Sequence, residues 1–129
     1  MTGPADLRGV RVLVLEDDYY LASDLGDALA AAGAVVIGPF PDQATAGRVL
    51  SDERPDLALV DVNLGAGPSF DLPRELARRQ VPFAFVTGYD ADVIPAEFDA
   101  VQRFEKPVDT RRLTQAAAQM LGGAAVRRE

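Results

Sequence analysis

Short, continuous apolar runs alternate along the chain with longer segments whose apolar residues recur at helical spacing. The apolar runs are rich in β-branched and aromatic residues, which is typical of strands buried on both faces of a parallel sheet. Five strands are predicted, over residues 10–15, 35–38, 57–60, 83–86 and 101–105. Between the first two runs, Leu21, Leu25 and Leu29 share one face of a predicted helix.

The helical pattern recurs after each later strand. The predicted helices cover residues 19–32, 43–52, 71–79, 90–99 and 110 to about 121. Asp18, Asp42 and either Asp109 or Thr110 stand where an N-cap is expected, and Gly33 ends the first helix. Residues 39–41 predict a turn, and the fourth helix should be short or irregular because it contains Pro95.

Alternation of strands and helices predicts a parallel sheet covered on both faces. The expected fold class is α/β, a doubly wound five-stranded parallel sheet in the order 2-1-3-4-5, which is flavodoxin-like. Length favours a single domain over residues 1–129, with a core of about 10–121 and flexible tails over 1–9 and 122–129.

Polar residues with chemical potential follow four of the predicted strands. Glu16 and Asp17 end the first strand, Asp61 the third, Thr87 the fourth and Lys106 the fifth. Taken singly, each has an ordinary explanation as a capping acid, a turn residue or a solvated lysine. Together they are more specific, because strands one, three, four and five are neighbours whose carboxyl ends share one edge of the sheet.

The chemistry of this edge follows from its residue types. Three carboxylates provide oxygen ligands, which suit Mg²⁺. A metal-screened Asp61 could act as a nucleophile and form an acyl phosphate. Lys106 would then place positive charge on the phosphoryl oxygens, and Thr87 a hydroxyl. Asn63 is first a turn former and second a possible metal ligand through its backbone carbonyl.

Composition restricts the chemistry further. The chain has 129 residues, 48% hydrophobic and 26% charged, with neither cysteine nor histidine. Disulfides, thiolate or imidazole metal sites and Ser-His triads are therefore excluded in this chain. A net charge of −7 argues against nucleic-acid binding and favours basic partners or a bound cation. There is no apolar run of transmembrane length and no signal peptide, so we expect a cytoplasmic protein without a membrane partner.

The chain resembles the receiver domain of two-component response regulators over residues 10–121. The motifs that carry the resemblance are VLVLEDD, LALVDVNLG, FVTGY and FEKP. The resemblance implies that Asp61 accepts phosphate from a sensor histidine kinase or a phosphotransfer protein. It also implies Mg²⁺ held by Glu16, Asp17, Asp61 and the Asn63 carbonyl, with Thr87 as the switch hydroxyl and Lys106 as the phosphate contact. By the same analogy, the Lys106–Pro107 peptide is expected to be cis.

Two local features qualify the resemblance. PFAFVTGYD is similar to the signature of the FAT GUY subgroup of receivers, which would have alanine at Val86 and an aromatic residue at Asp90. Many receivers also carry Tyr or Phe three residues before the lysine, and that position here is Arg103. Because a charged side chain buries poorly, the usual Thr–aromatic coupling is in doubt. We predict that the region after Thr87 still responds to phosphorylation.

The leading functional hypothesis is a stand-alone, non-enzymatic switch that binds an unidentified downstream protein when phosphorylated. Alternatives are a phosphate sink and a receiver module of a hybrid histidine kinase. An Asp-nucleophile phosphatase belongs to another class. Such enzymes commonly need a carboxylate two residues after the nucleophile, where this chain has Asn63.

Overall fold

A computed structural model describes residues 6–62, 69–88 and 93–121 of the chain. Five parallel strands form one sheet in the order β2-β1-β3-β4-β5, which confirms the predicted doubly wound topology. The strands are β1 (Arg11–Leu15), β2 (Val35–Phe40), β3 (Leu57–Asp61), β4 (Phe83–Thr87) and β5 (Arg103–Glu105).

The described α-helices are α1 (Tyr19–Ala31), α2 (Gln43–Asp52), α3 (Asp71–Arg78) and α4 (Thr110–Met120). Three of them begin at the predicted caps, whereas α3 follows Phe70 without a side-chain cap. The Asp18 carboxylate accepts hydrogen bonds from the backbone N–H groups of Tyr20 and Leu21, at 3.0 and 3.1 Å. Asp42 and Asp109 cap α2 and α4 in the same way. Such caps satisfy backbone donors that have no partner within the first helical turn.

Alternation along the strands divides the core into two layers. In β1, Val12 and Val14 face a layer that includes Leu25 and Leu29 of α1 together with Leu113 of α4. Leu13 and Leu15 face the opposite layer, which includes Leu50 of α2 and Leu76 of α3. The sheet is thus buried on both faces, which explains the continuous apolar runs. None of the described helices is both long enough and apolar enough to cross a membrane.

The β2 strand is longer than predicted. It continues through Pro39 and Phe40, which we expected to form a turn. β2 is an edge strand, where proline is tolerated, and its register against β1 shifts between Leu13 and Leu15. Gly38 has a φ of +105° at this shift, and an added Cβ would lie 2.9 Å from the Phe40 nitrogen. This position therefore requires glycine.

Two further expectations were wrong. Within the described residues 93–99, the helix predicted over 90–99 is replaced by 3-10 geometry at Val93 and over Ala96–Phe98. Pro95 lacks a backbone N–H and disfavours helical geometry at Ile94. The tail predicted over 1–9 is not free at Leu7, which is 1% exposed. Its backbone N–H donates to the Ala32 carbonyl at 2.8 Å, which fixes the chain against the end of α1.

Candidate functional site

The carboxyl ends of four strands bring the predicted site residues to one edge of the sheet. Glu16 follows β1, and its backbone N–H donates to the Phe40 carbonyl at 2.9 Å. Asp61 is the last residue of β3 and Thr87 the last of β4. Lys106 follows β5 and donates its backbone N–H to the Thr87 carbonyl at 2.7 Å. Sheet-like backbone hydrogen bonds continue past the ends of β1 and β5, and they fix the backbone positions of Glu16 and Lys106 at this edge.

The Lys106 ammonium lies between two buried carboxylates. Its Nζ is 3.4 Å from Asp61 Oδ1 and 3.6 Å from Glu16 Oε2. The two carboxylate side chains are each 1% exposed, whereas the lysine side chain is 30% exposed. The lysine is thus a partly solvated cation in direct contact with buried anions. The low local dielectric constant around the buried groups strengthens the attraction between the charges.

These contacts change the proton affinities of the site. Burial, together with the neighbouring Asp61 carboxyl, raises the pKa of Glu16 to about 8. Burial by itself would lower the pKa of Lys106, but the charges of Asp61 and Glu16 outweigh that effect and raise it. One positive charge therefore does not fully compensate the carboxylates, and the site is suited to an additional cation.

The acidic residues have the composition and proximity of a site for a hard metal ion. Glu16, Asp17 and Asp61 each offer a carboxylate oxygen, and the three oxygens lie within 4.8 Å of one another. Glu16 also has a buried oxygen, Oε1, that accepts no hydrogen bond from any described residue. Oxygen ligands of this number and charge fit Mg²⁺, which retains several water ligands in proteins. Asn63, the other predicted ligand, lies outside the described residues.

This arrangement agrees with a comparison of the sequence with known protein families. Residues 12–118 match the model of the response regulator receiver domain. The chain belongs to this family. Receiver domains are phosphoryl-accepting signalling modules of two-component systems, and they receive the phosphoryl group from histidine kinases or phosphotransfer proteins.

Individual relatives support the same assignment. The receiver is 30% identical over 110 residues to the sensory transduction protein LytT of Bacillus subtilis, and 33% identical over 105 residues to the regulatory protein VirG of Rhizobium rhizogenes. These matches cover 82% and 78% of this chain but only 46% and 43% of those proteins. The chain thus spans about half the length of the curated relatives it matches.

Solved structures show the same similarity in three dimensions. The receiver matches the solution structure of SdrG from Sphingomonas melonis with a TM-score of 0.75 and 29% sequence identity. This match covers 87% of this chain and 97% of SdrG, so the similarity extends over nearly the whole of both chains.

Two further residues of the receiver were singled out from the sequence. Thr87 is 1% exposed, and its hydroxyl has no hydrogen-bond partner among the described residues. Arg103 opens β5 and is half-buried, paired in register with Phe85 of β4. The Lys106–Pro107 peptide is cis, as expected from the family resemblance.

Sequence reasoning gave Glu16 and Asp17 equal weight, whereas the structure separates them. Glu16 is 3% exposed, and Asp17 is exposed. The Asp18 backbone N–H donates to Glu16 Oε2 at 3.1 Å, so the start of α1 also holds this carboxylate. The alternation of β1 could not have separated them, because Glu16 shares a face with Val14 and Asp17 shares a face with Leu15, and both of those residues are buried.

Proposed function

We propose that this receiver is a phosphorylation-dependent switch in which Asp61 accepts the phosphoryl group of a histidine kinase or phosphotransfer protein in a Mg²⁺-dependent reaction. The supporting observation is the contact of Lys106 Nζ with Asp61 Oδ1 at 3.4 Å, beside the acidic cluster of Glu16 and Asp17. A nucleophilic carboxylate, a cation and an acidic metal site within a few ångströms suit phosphoryl transfer better than any other chemistry of these residues.

In the proposed reaction, an Asp61 oxygen attacks the phosphorus of a phosphohistidine on the partner. The new O–P bond forms as the P–N bond breaks, and the imidazole nitrogen keeps the bonding electrons. A bound Mg²⁺ ion, held by Glu16, Asp17, Asp61 and the Asn63 carbonyl, would neutralise charge on the phosphoryl oxygens. Lys106 would contact the same oxygens through its ammonium, which lies 3.4 Å from Asp61 Oδ1.

The product adds about −1.5 to −2 charges at neutral pH to a chain whose net charge is −7. The Thr87 hydroxyl is the group that would bond the phosphoryl oxygens once they are present, since it is buried at the same edge of the sheet. This new bond would change the surface that follows β4 and thereby alter the binding of a downstream protein. We also propose a cytoplasmic location for the receiver.

We propose a switch and not a phosphatase. Turnover on phosphate esters by an aspartate nucleophile commonly uses a second carboxylate two residues later as the acid and base, and the sequence has Asn63 there. The alternatives of a phosphate sink and of a module in a hybrid kinase use the same chemistry at Asp61. They differ in what receives the signal, which a pull-down with phosphorylated and unphosphorylated protein would show.

Membership of the FAT GUY subgroup is also proposed, on the strength of the PFAFVTGYD segment.

The decisive test is labelling with acetyl phosphate and Mg²⁺, followed by intact mass. We expect one phosphoryl adduct on the wild-type chain and none on Asp61→Asn. Asp24→Asn is the matched control, because Asp24 is an exposed carboxylate of α1 outside the acidic cluster. Lys106→Ala should keep the fold, since its side chain is partly exposed, and should lose the response to phosphorylation. Labelling of Asp61→Asn at the wild-type rate would exclude Asp61 as the acceptor.

A further inference from the structure

A groove lies between α1 and the carboxyl end of β2 with the residues that follow it, next to the acidic cluster. Its volume is about 460 Å³, within the usual range for ligand sites. The apolar part of its lining comes from Tyr19, Ala22, Gly26, Pro39 and Pro41. The groove therefore offers a mostly apolar surface that reaches the edge where phosphorylation is proposed.

Gly26 keeps this groove open. It lies in the interior of α1, where glycine costs about 0.5–1 kcal/mol of stability relative to alanine. The packing does not explain this choice, because the nearest atom to an added Cβ would be Pro39 Cγ at 4.0 Å, an ordinary contact. A side chain longer than alanine at this position would extend into the groove. Glycine at position 26 therefore leaves the volume of the groove open, and it is not required to avoid a clash with Pro39.

Charge indicates which ligand would fill the space. The acidic residues that line the groove are Glu16, Asp17 and Asp27, and no lysine or arginine among the described residues lines it. Asp27 is exposed and lies eight residues along α1 from Tyr19, or about 12 Å at the helical rise per residue. An arginine or lysine has an apolar stem that packs on such a wall and a cation that can reach a carboxylate or the Tyr19 ring.

We propose that this groove binds a segment of a partner protein in which a basic residue stands beside apolar ones, with the cation at Asp27 and the apolar atoms against Ala22, Gly26 and Pro39. The proposal goes beyond the proposed function and does not depend on it, although the groove borders Glu16 and Asp17. The peptide chemistry itself follows from the groove.

The test is an NMR titration of the ¹⁵N-labelled full chain with acetyl-Leu-Arg-Leu-Arg-Leu-amide in saturating Mg²⁺, so that the peptide cannot occupy the metal site. We expect shifts at groove residues, and at least tenfold weaker binding of the matched peptide with glutamate in place of arginine. Equal binding of both peptides, or shifts confined to other residues, would overturn the proposal. Concentration-dependent shifts of the groove without peptide would instead indicate a second copy of the chain.

Two glycine variants form a matched pair. Gly26→Leu should fill the groove and weaken the basic peptide at least tenfold. Gly47→Leu, in α2 with no atom within 4 Å of an added Cβ, should bind like wild type. Asp27→Asn should weaken binding by removing the charge at nearly constant side-chain size, so a folding defect in Gly26→Leu would not decide the result. Wild-type affinity in both groove variants would contradict the proposal.

Labelling by acetyl phosphate is measured on every variant. Loss of peptide binding with labelling retained would support the groove independently of the switch. Absence of labelling in the wild-type chain would contradict the proposed function, while selective peptide binding at the groove would still be measurable. The two proposals can therefore fail separately.

Discussion

Replacing Thr87 by valine removes one buried hydroxyl and keeps the shape of the side chain. Thr87 is 1% exposed, and its Oγ1 has no hydrogen-bond partner among the described residues. A buried polar group without a partner costs about 1–3 kcal/mol. In the unphosphorylated, metal-free receiver, we therefore expect Thr87→Val to increase the free energy of unfolding by about 1 kcal/mol or more.

Thr114 provides the matched control. It is 7% exposed, and its hydroxyl donates to the Arg111 carbonyl at 3.0 Å. Thr114→Val removes a made hydrogen bond, so it should cost about 0.5–1.5 kcal/mol. Threonine and valine have similar helix propensities, and the substitution therefore measures mainly the hydroxyl. The free energies of unfolding of Thr87→Val and Thr114→Val should lie on opposite sides of the wild-type value, about 2 kcal/mol apart.

Urea unfolding in EDTA, followed by circular dichroism, measures both changes. A thermal melt gives a second readout. Because the entropy of unfolding is about 2.1 cal/mol/K per residue, a change of 1 kcal/mol shifts the midpoint temperature of this chain by about 4 °C. Loss of 1 kcal/mol or more in Thr87→Val would show that the hydroxyl makes a hydrogen bond in solution. The hydroxyl would then not be held in reserve for the phosphoryl group, and its proposed switch role would lose its physical basis.

Three other expectations concern the site, the amino-terminal segment and the response. The Glu16 pKa of about 8 exceeds its ordinary value of 4.5. The folded metal-free protein thus keeps a proton that the unfolded chain loses, and its free energy of unfolding should fall as the pH rises from about 4.5 to 8. The thermal stabilisation by Mg²⁺ should therefore be larger at pH 9 than at pH 6. Glu16→Gln should remove that difference. Leu7→Ala should cost about 2–5 kcal/mol in urea unfolding, whereas Val93→Ala, at an exposed residue, should cost little. In relaxation-dispersion NMR, residues 93–101 should change exchange behaviour when acetyl phosphate is added to wild type, and an unchanged profile there would contradict a response through Thr87.

Much of the site could be predicted because its order along the chain reflects a simple topology. In a parallel sheet, every carboxyl end lies at the same edge, so Asp61, Thr87 and Lys106 could be placed together before any distance was known. The β2 strand was harder to predict. Proline and glycine usually mark a turn, but at an edge strand the Pro39 nitrogen needs no partner within the sheet.

The sequence by itself determined the alternation of strands and helices, the caps of α1, α2 and α4, and the polar residues that end the strands, because these follow from local periodicity and from which residues end each strand. The sheet order came from the precedent of doubly wound folds. Only the tertiary structure decided how deeply each group is buried. Glu16 and Asp17 are neighbours of the same chemical type, yet one carboxylate is desolvated and the other is in water. Leu7, in a segment without periodicity, is buried because the end of α1 covers it. The groove at Gly26 likewise depends on the distance between α1 and Pro39, which separate elements set only when they pack on the same sheet.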